Sequence, residues 1–347
     1  MMRKRMITGA VLAAAMTVTG AGAQEGNTPA ATETVVRIQD YPGLGNLLYR
    51  VAAAKGFCAK QGIRCQMQPI PTVPLGIQAM LAKNIDVAFA SPEVTINAAA
   101  KGADFKAIGA GSQRTPLQIV ARPELDVPDG DQDFKPMMQA LKGRKIGVPV
   151  RGGTGELMFI MMANLAGLKA GDYTFVAVGS PNTSYGALKS KQIDASMTFE
   201  PSASICEVIK DCKVVYVGSR ATGPKEITRT NGASSLLLVT GEMIARAPAT
   251  IRAILAAGHD AETFIQNPAN FAEVVAIASQ NSKMNIPHGD EVLAASLKAV
   301  LPSLKMGLSR AALKQIAANI TAVGQLPQPF DTDTLVYKEA ALAGGGQ

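Results

Sequence analysis

The chain has 347 residues, of which 47% are hydrophobic and 5% aromatic, and it carries a formal net charge of +7 at pH 7. A chain of this length exceeds what one hydrophobic core usually serves, so we expect two domains. The small excess of basic residues argues against nucleic acid as a partner, because nucleic-acid binding requires basic side chains clustered on one face.

The N-terminus has the pattern of a secretory signal. Residues 3–5 are Arg-Lys-Arg, residues 6–19 are mostly apolar, and residues 21–23 are Ala-Gly-Ala. The apolar run is shorter than the roughly 20 residues that a membrane-spanning helix needs. The pattern predicts a signal peptide over residues 1–23, cleaved after Ala23, and an exported soluble protein. Cleavage removes three basic residues and no acidic one, which lowers the net charge from +7 to +4.

From residue 35 onward, short β-rich runs alternate with longer helical stretches. The first set of predicted elements comprises strands Val35–Gln39, Ile63–Met67, Ile85–Ala90 and Phe105–Gly109 and helices Gly45–Lys60, Pro74–Lys83 and Pro92–Lys101. The second set comprises strands Lys145–Val148, Tyr173–Val178, Ile193–Thr198 and Val214–Gly218 and helices Thr154–Ala166, Thr183–Lys191 and Pro201–Lys210. A strand at Ser235–Thr240 and helices Pro248–Ile265, Asn270–Ser279, Gly289–Leu301 and Ser309–Thr321 complete the prediction. Alternation at this spacing indicates βαβ units with mostly parallel sheets.

The two sets resemble each other in their letters. Residues 83–89, KNIDVAF, match residues 191–197, KQIDASM, and a proline follows each segment at a similar distance. We therefore predict an α/β protein of two similar βαβ lobes with mixed, mostly parallel sheets, joined by a two-segment hinge. The predicted boundaries are 33–114 with 231–335 for lobe 1, 115–230 for lobe 2, and 336–347 for a flexible tail.

The four cysteines form two close pairs, Cys58 with Cys65 and Cys206 with Cys212. In an exported protein, an even number of cysteines at short spacing predicts disulfides. A zinc site is the alternative, but the spacing is not CxxC and neither histidine is near a pair. We expect structural disulfides and no metal.

Ligands of open α/β sheets bind at the carboxyl ends of strands, beside helix N-termini. The candidate ligand-binding residues at these positions and at the hinge are Tyr41, Gly45, Asn46, Thr72, Val73, Ser91, Pro92, Gln113, Arg114, Arg151, Gly153, Thr154, Asn182, Thr183, Tyr185 and Glu200. Several helix N-termini converging on one cleft favour an anion.

Within this set, the segment from Arg151 to Thr154 is the sharpest candidate. Arg151 could pair with a carboxylate or sulfonate. The alternative is an ordinary strand-to-helix turn with Thr154 as the N-cap. Glu200 leaves the charge of the ligand open, because a carboxylate in the cleft either caps its helix, pairs with arginine or binds an amine. Tyr41 and Tyr185 either contact an apolar part of the ligand or pack on the lobe surface.

Three segments resemble a known family. Residues 56–63, GFCAKQGI, resemble its GFF-K-GL helix end, residues 85–88 its IDVA motif, and residues 200–201 its Glu-Pro motif. The order of elements over residues 33–330 is similar to that of the nitrate/sulfonate/taurine-type (NMT1/THI5-like) periplasmic solute-binding proteins of ABC transporters. The resemblance implies a type II periplasmic-binding-protein fold, lobe closure around a small molecule, and delivery to ABC permease and ATPase subunits.

The function expected from these observations is capture of a small organic anion, a sulfonate or an aromatic or aliphatic carboxylate, by a periplasmic monomer. A neutral or zwitterionic heterocycle such as a pyrimidine is the alternative ligand. A cofactor-independent enzyme on the same fold is the alternative class. Relatives that make the pyrimidine of thiamine use a cysteine-rich motif and an active-site histidine. This chain has no cysteine cluster, and His259 and His288 fall in the C-terminal helical region. We therefore expect no enzyme activity and no cofactor.

Overall fold

The computed structural model describes residues 33–41 and 43–343. The predicted signal peptide and the last four residues of the predicted tail lie outside these residues. The strands are β1 (Thr34–Asp40), β2 (Ile63–Pro69), β3 (Ala88–Ala90), β4 (Phe105–Ser112), β5 (Gln118–Ala121), β6 (Lys145–Val148), β7 (Thr174–Ala177), β8 (Ala195–Thr198), β9 (Lys213–Val217) and β10 (Ser235–Thr240). The helices are α1 (Leu47–Ala54), α2 (Phe57–Lys60), α3 (Val73–Leu81), α4 (Pro92–Ala100), α5 (Phe134–Ala140), α6 (Thr154–Leu165), α7 (Pro181–Lys189), α8 (Ser202–Ile209), α9 (Lys225–Thr228), α10 (Gly241–Arg246), α11 (Pro248–Gln266), α12 (Phe271–Asn281), α13 (Gly289–Val300) and α14 (Arg310–Ala322).

Each lobe contains one mixed sheet with the same strand arrangement. In lobe 1, β1 pairs in parallel with β2. An isolated parallel bridge between Ile38 and Val87 joins β1 to the residue just before β3. Strand β10 lies between β3 and β4 and is antiparallel to both. In lobe 2 the order is β7-β6-β8-β5-β9, and β5 is the antiparallel strand. Each antiparallel strand enters its sheet directly from the other lobe.

Two connections join the lobes. Residues 113–117 lead from β4 to β5, and residues 218–234 lead from β9 to β10. The connections touch each other, because the amide of Gly232 donates to the carbonyl of Gln113 at 2.5 Å. This arrangement agrees with the predicted two-segment hinge and places the floor of any inter-lobe cleft at the junction of the two connections.

The repeated aspartates have the same structural role in both lobes. The carboxylate of Asp86 accepts the backbone N–H of Arg37 in β1, and that of Asp194 accepts the backbone N–H of Lys145 in β6, both at 2.8 Å. Each aspartate therefore ties the turn before one central strand to the backbone of the neighbouring strand. The sequence repeat marks this shared turn.

Each predicted strand and helix overlaps an observed one. The predicted helix Gly45–Lys60 is divided into α1 and α2 at Gly56, whose φ of +72° is left-handed. Strand β5 and helices α5, α9 and α10 were not predicted. All four residues of β5 are buried, so the strand lacks the alternation of apolar and polar residues that marks a half-buried strand.

The predicted flexible tail differs from the structure over the part that is described. Val336 and Tyr337 are buried, and the amide of Tyr337 donates to the carbonyl of Ala107 at 2.9 Å. Further on, Leu342 forms a parallel bridge with Leu308. These contacts order the segment along β4, because its apolar side chains complete the lobe 1 core.

Both predicted disulfides are present in the structure. Cys58 in α2 is bonded to Cys65 in β2, and Cys206 in α8 is bonded to Cys212 just before β9. Each bridge therefore closes a helix-to-strand connection. Among the described residues, no cluster of possible metal ligands is found, and no helix is long and apolar enough to cross a membrane.

The C-terminal helices contact both lobes. Helix α13 packs against α8 of lobe 2, where Val292 is fully buried with Ile205 and Leu188. Its other face places Leu297 in the core of lobe 1. Helix α13 therefore lies behind the cleft as a wall shared by the two lobes.

Candidate functional site

A cleft of about 710 Å³ lies between the lobes. The predicted residues that line it are Tyr41, Gly45, Thr72, Val73, Ser91, Pro92, Arg114, Arg151, Gly153, Thr154 and Glu200. The residues at the N-caps of α3, α4, α6 and α7 all contribute to the lining. Most candidates chosen by the rule that ligands bind at the carboxyl ends of strands therefore lie at one cleft.

Two candidates near lobe 1 lie behind the cleft surface. The side chain of Asn46 is buried and donates from its amide to the carbonyl of Gln39. The amide of Gln113 points away from the cleft and donates to the carbonyl of Gly307 at 3.0 Å. Both side chains support the backbone of the site instead of lining it.

Three candidates on α7 also lie outside the cleft. Asn182 lines a separate recess of about 140 Å³. The hydroxyl of Thr183 donates to the carbonyl of Ser180 at 2.8 Å, within its own helix turn. The hydroxyl of Tyr185 donates to Asp211 at 2.5 Å, on the flank of lobe 2. Helix α7 presents its N-cap to the cleft, whereas these side chains project to its other faces.

Arg151 is already paired within its own lobe. Its Nε lies 2.7 Å from Oε2 of Glu156, and the same oxygen accepts the amide of Gly152 at 2.9 Å. Burial acts to raise the pKa of Glu156, but these hydrogen bonds outweigh it and hold the pKa below its ordinary value. The charge of Arg151 is therefore balanced without a ligand.

The N-terminus of α6 differs from both readings of the sequence. Gly153, not Thr154, occupies the N-cap position, and it provides no side-chain cap. The amides of Thr154 and Gly155 in the first turn have no acceptor among the described residues, and both residues line the cleft. They are hydrogen-bond donors at the positive end of the helix dipole.

The hydroxyl of Thr154 makes a hydrogen bond across the cleft. It donates to Oε2 of Glu93, in the first turn of α4 in lobe 1, at 2.9 Å. Glu93 is 5% exposed, and burial raises the pKa of its carboxyl group although the hydrogen bonds act to lower it. The rings of Tyr41 in lobe 1 and Phe199 in lobe 2 also approach, with centroids 6.4 Å apart. The lobes are therefore in direct contact across the cleft.

Glu200 lines the cleft, but both of its carboxyl oxygens have protein donors. Oε1 accepts Nε2 of Gln118 at 2.7 Å, and Oε2 accepts the hydroxyl of Ser296 in α13 at 3.0 Å. Burial raises the pKa of Glu200, and these donors act in the opposite direction. Glu200 therefore connects β5 to α13, and it forms an ion pair with none of the arginines that the structure describes.

The apolar wall includes two aromatic residues that were not among the candidates. Phe89 lies within β3 and Phe199 directly follows β8, at the strand ends that the topology rule singles out. A methyl group at Gly45 or Gly111 would approach the Phe89 ring to 2.8 or 2.6 Å, so both glycines make room for this ring. With Tyr41, the two phenylalanines form a continuous aromatic wall.

A buried glutamine aligns the strand ends of lobe 1 and was also missed. Gln39 is fully buried, its Nε2 donates to the carbonyl of Thr72 at 3.0 Å, and its Oε1 accepts the amide of Phe89 at 3.1 Å. These bonds fix the positions of two cleft residues relative to each other. Strand β1 also contains Thr34, Arg37 and Asp40, so no local signal in the sequence distinguishes the buried glutamine from these other polar residues.

Comparison with known proteins agrees with this geometry. The family model described as NMT1/THI5 like matches residues 47–270. A Brucella abortus protein, named provisionally as a binding protein, is 26% identical over 250 residues, or 72% of each chain. The alkanesulfonate-binding protein SsuA of Xanthomonas axonopodis, bound to MOPS, has a TM-score of 0.70 at 17% identity, covering 88% of this chain and 98% of its own. The periplasmic aliphatic sulphonate binding protein SsuA of Escherichia coli has a TM-score of 0.70 at 19% identity, covering 90% and 95%.

The structural likeness confirms the predicted fold class, a type II periplasmic-binding-protein fold of two α/β lobes. Both neighbours are named as sulfonate-binding proteins. The match to the family model spans well over half of the chain and includes the strand ends of both lobes. The protein therefore belongs to the NMT1/THI5-like family, as its sequence motifs predicted.

Proposed function

We propose that the protein is an exported solute-binding protein that captures a small organic anion in the inter-lobe cleft and delivers it to an ABC importer. The cleft itself carries this proposal, since it combines hydrogen-bond donors free of protein acceptors with an aromatic wall. In this proposal the periplasmic monomer lacks residues 1–23, its lobes are 33–114 with 231–335 and 115–230, and its partners are a permease and an ATPase subunit.

The size and lining of the cleft support a small ligand with one polar end. A volume of about 710 Å³ is within the range of about 300–1,000 Å³ that is typical of small-molecule sites. Tyr41, Phe89 and Phe199 offer apolar contact to an alkyl or aryl group. The free amides of Thr154 and Gly155 favour an acceptor-rich group. A small organic anion supplies both an apolar body and acceptor oxygens, and it therefore complements this lining.

A zwitterionic or neutral heterocycle is the second candidate, because two carboxyl groups line the cleft without a cationic partner. The oxygens of Glu93 and Glu200 accept hydrogen bonds only from neutral groups among the described residues. A ring that bears an amino group, such as an aminopyrimidine, would complement these carboxyl groups. The ligand panel therefore has to contain both classes.

The test is a ligand screen on mature protein that has been unfolded and refolded to remove any bound molecule. Thermal unfolding and calorimetry are measured with butane-1-sulfonate, MOPS, benzoate and an aminopyrimidine, and butan-1-ol serves as the matched uncharged control. A ligand present at 100 times its Kd stabilises the folded state by about 2.7 kcal/mol. Stabilisation by the anions and not by butan-1-ol is the expected result. Stabilisation by the aminopyrimidine alone would favour the second candidate, and no stabilisation by any compound would contradict the proposal.

A further inference from the structure

Two serine hydroxyls at the floor of the cleft have no hydrogen-bond partner among the described residues. Ser234 and Ser235 lie where the chain re-enters lobe 1 at β10, and both line the cleft. Ser235 is only 7% exposed. Buried hydroxyls normally have a hydrogen-bond partner. Those of Ser184 and Ser196 in lobe 2, for example, lie 2.7 Å apart. Two adjacent unsatisfied donors in one cleft indicate a polar group that the ligand supplies.

The last residue of β4, where the other hinge connection begins, contributes a third hydroxyl beside these two. Ser112 is the register partner of Ser235 across β4 and β10, and the amide of Ser234 donates to the carbonyl of Ser112 at 3.1 Å. The hydroxyl of Ser112 lies 3.3 Å from that of Ser303, which also lines the cleft, and donates to the carbonyl of Arg114 at 3.4 Å. Hydroxyls beside both hinge connections therefore meet on one small patch of the floor, and those of Ser234 and Ser235 have no partner among the described residues.

Arg114, two residues beyond Ser112, adds a positive charge to this end of the cleft. Its side chain is exposed, lines the cleft and forms no ion pair within the described part of the chain. The other two arginines of the lining differ, because Arg151 pairs with Glu156 at 2.7 Å and Arg220 pairs with Asp131 at 2.6 Å. Arg114 is therefore the arginine of the described lining whose charge remains available to a ligand.

The opposite end of the cleft, at the N-terminus of α6, is less suited to an anion. Two carboxyl groups lie there, since Glu156 accepts the amide of Gly152 and Glu93 accepts the hydroxyl of Thr154. An added anionic group would meet the buried carboxyl group of Glu93 without an unpaired arginine beside it, because Arg151 is already paired with Glu156. An uncharged acceptor could still use the amides of the first turn. Electrostatics therefore favours the hinge floor for the charged end of the ligand.

We infer that Ser112, Ser234, Ser235 and Arg114 form the subsite for the anionic head group of the ligand, a sulfonate or a carboxylate. The inference rests on the proposed function and specifies where the charge of the ligand binds. Hydroxyl donors and one guanidinium match the oxygens of such a group. The rest of the ligand then extends along the aromatic wall towards α6. Arg114 and Ser234 belong to the two hinge connections, and Ser112 and Ser235 are the strand residues next to them, so the head group would hold both connections at once.

The test compares serine-to-alanine variants that should behave in opposite ways. Ser235→Ala and Ser234→Ala remove hydroxyls that have no protein partner, so ligand-free protein should unfold at an unchanged or higher temperature. Their affinity for butane-1-sulfonate and MOPS, measured by calorimetry, should fall at least tenfold, and Arg114→Gln should do the same. The matched control, Ser196→Ala, removes a buried hydroxyl outside the cleft that is hydrogen-bonded. It should lower the unfolding temperature and leave the affinity unchanged.

The outcomes separate this inference from the proposed function. Wild-type affinity in Ser235→Ala, Ser234→Ala and Arg114→Gln would overturn the hinge-floor subsite and leave the anion-binding proposal standing, with water as the occupant of the floor. Absence of binding by the wild-type protein to both sulfonates and to benzoate would overturn the proposed ligand class together with the subsite.

Discussion

The hydrogen bond between Thr154 and Glu93 joins the two lobes directly, so its removal should weaken ligand binding. Thr154→Val keeps the shape of the side chain and deletes the hydroxyl that donates to Glu93 at 2.9 Å. Glu93 is 5% exposed, so its carboxyl group would lose a donor that water can replace only when the lobes separate. Hydrogen bonds to charged groups contribute about 1.5–3 kcal/mol. If the bond exists only with the lobes in contact, affinity should fall roughly tenfold to a hundredfold.

The assay combines calorimetry with small-angle X-ray scattering. Thr154→Val should bind its ligand more weakly than the wild type and show a larger radius of gyration without ligand. The matched control is Thr321→Val on α14, whose hydroxyl donates to the carbonyl of Ala317 at 2.8 Å within its own helix. The control should change neither the affinity nor the radius. Equal affinity and equal radius in Thr154→Val and the wild type would refute the idea that this bond stabilises the closed arrangement.

Three further predictions concern stability. Burial raises the pKa of Glu93 in the folded protein above its ordinary value in the unfolded chain. The stability that protonated Glu93 contributes is therefore fully present below the ordinary pKa and is lost as pH rises through the raised pKa. Glu93→Gln should therefore unfold like the wild type near pH 4 and at a higher temperature near pH 7, with about 1.4 kcal/mol gained for each unit of the shift. Replacing Cys206 and Cys212 together by serine should lower the free energy of unfolding in urea by about 2–3 kcal/mol, because the bridge closes a short loop. Gly76→Ala should destabilise the protein by about 1–3 kcal/mol in the same assay, because a methyl group would overlap the buried side chain of Gln39.

Each of these predictions has a control or a contradicting result. For Glu93, the effect of burial would be contradicted if Glu93→Gln and the wild type unfolded at the same temperature at pH 7 as well as at pH 4. For the disulfide, an unchanged urea midpoint would show that the bridge does not contribute to stability. For Gly76, the control is Gly186→Ala in α7, where the added methyl group meets no neighbour. That variant should gain about 1 kcal/mol, because alanine is the better helix former.

The location of the site could be predicted from the sequence because the topology rule uses only the order of strands and helices. Thr72, Ser91 and Gly153 follow strands in the local pattern, and the structure places all three in the cleft. The role of each side chain could not be predicted in the same way. Glu200 and Ser296 are 96 positions apart in the chain, and Glu93 and Thr154 are 61 apart. Their contacts depend on how the lobes pack.

The missed elements have a related physical cause. The buried strand β5 shows no alternation of apolar and polar residues, so nothing local distinguishes it from a connecting segment. Residues 336–343 also lack a regular spacing of apolar residues, yet Val336 and Tyr337 pack on lobe 1. In both places the ordering comes from neighbours that are distant in sequence.

Local features of the chain were sufficient to determine the two βαβ lobes, the two disulfides and the family. The repeat around Asp86 and Asp194 reflects a turn that each aspartate closes on its own lobe, and each cysteine pair closes a short loop. Only the tertiary structure decided which polar groups of the cleft are already satisfied. Arg151 is paired, Glu200 accepts from two donors, and the hydroxyl of Ser235 has no hydrogen-bond partner in the described part of the chain. A hydrogen bond depends on a separation of about 3 Å between two atoms, and for distant parts of a chain that separation is set by the packing of whole lobes.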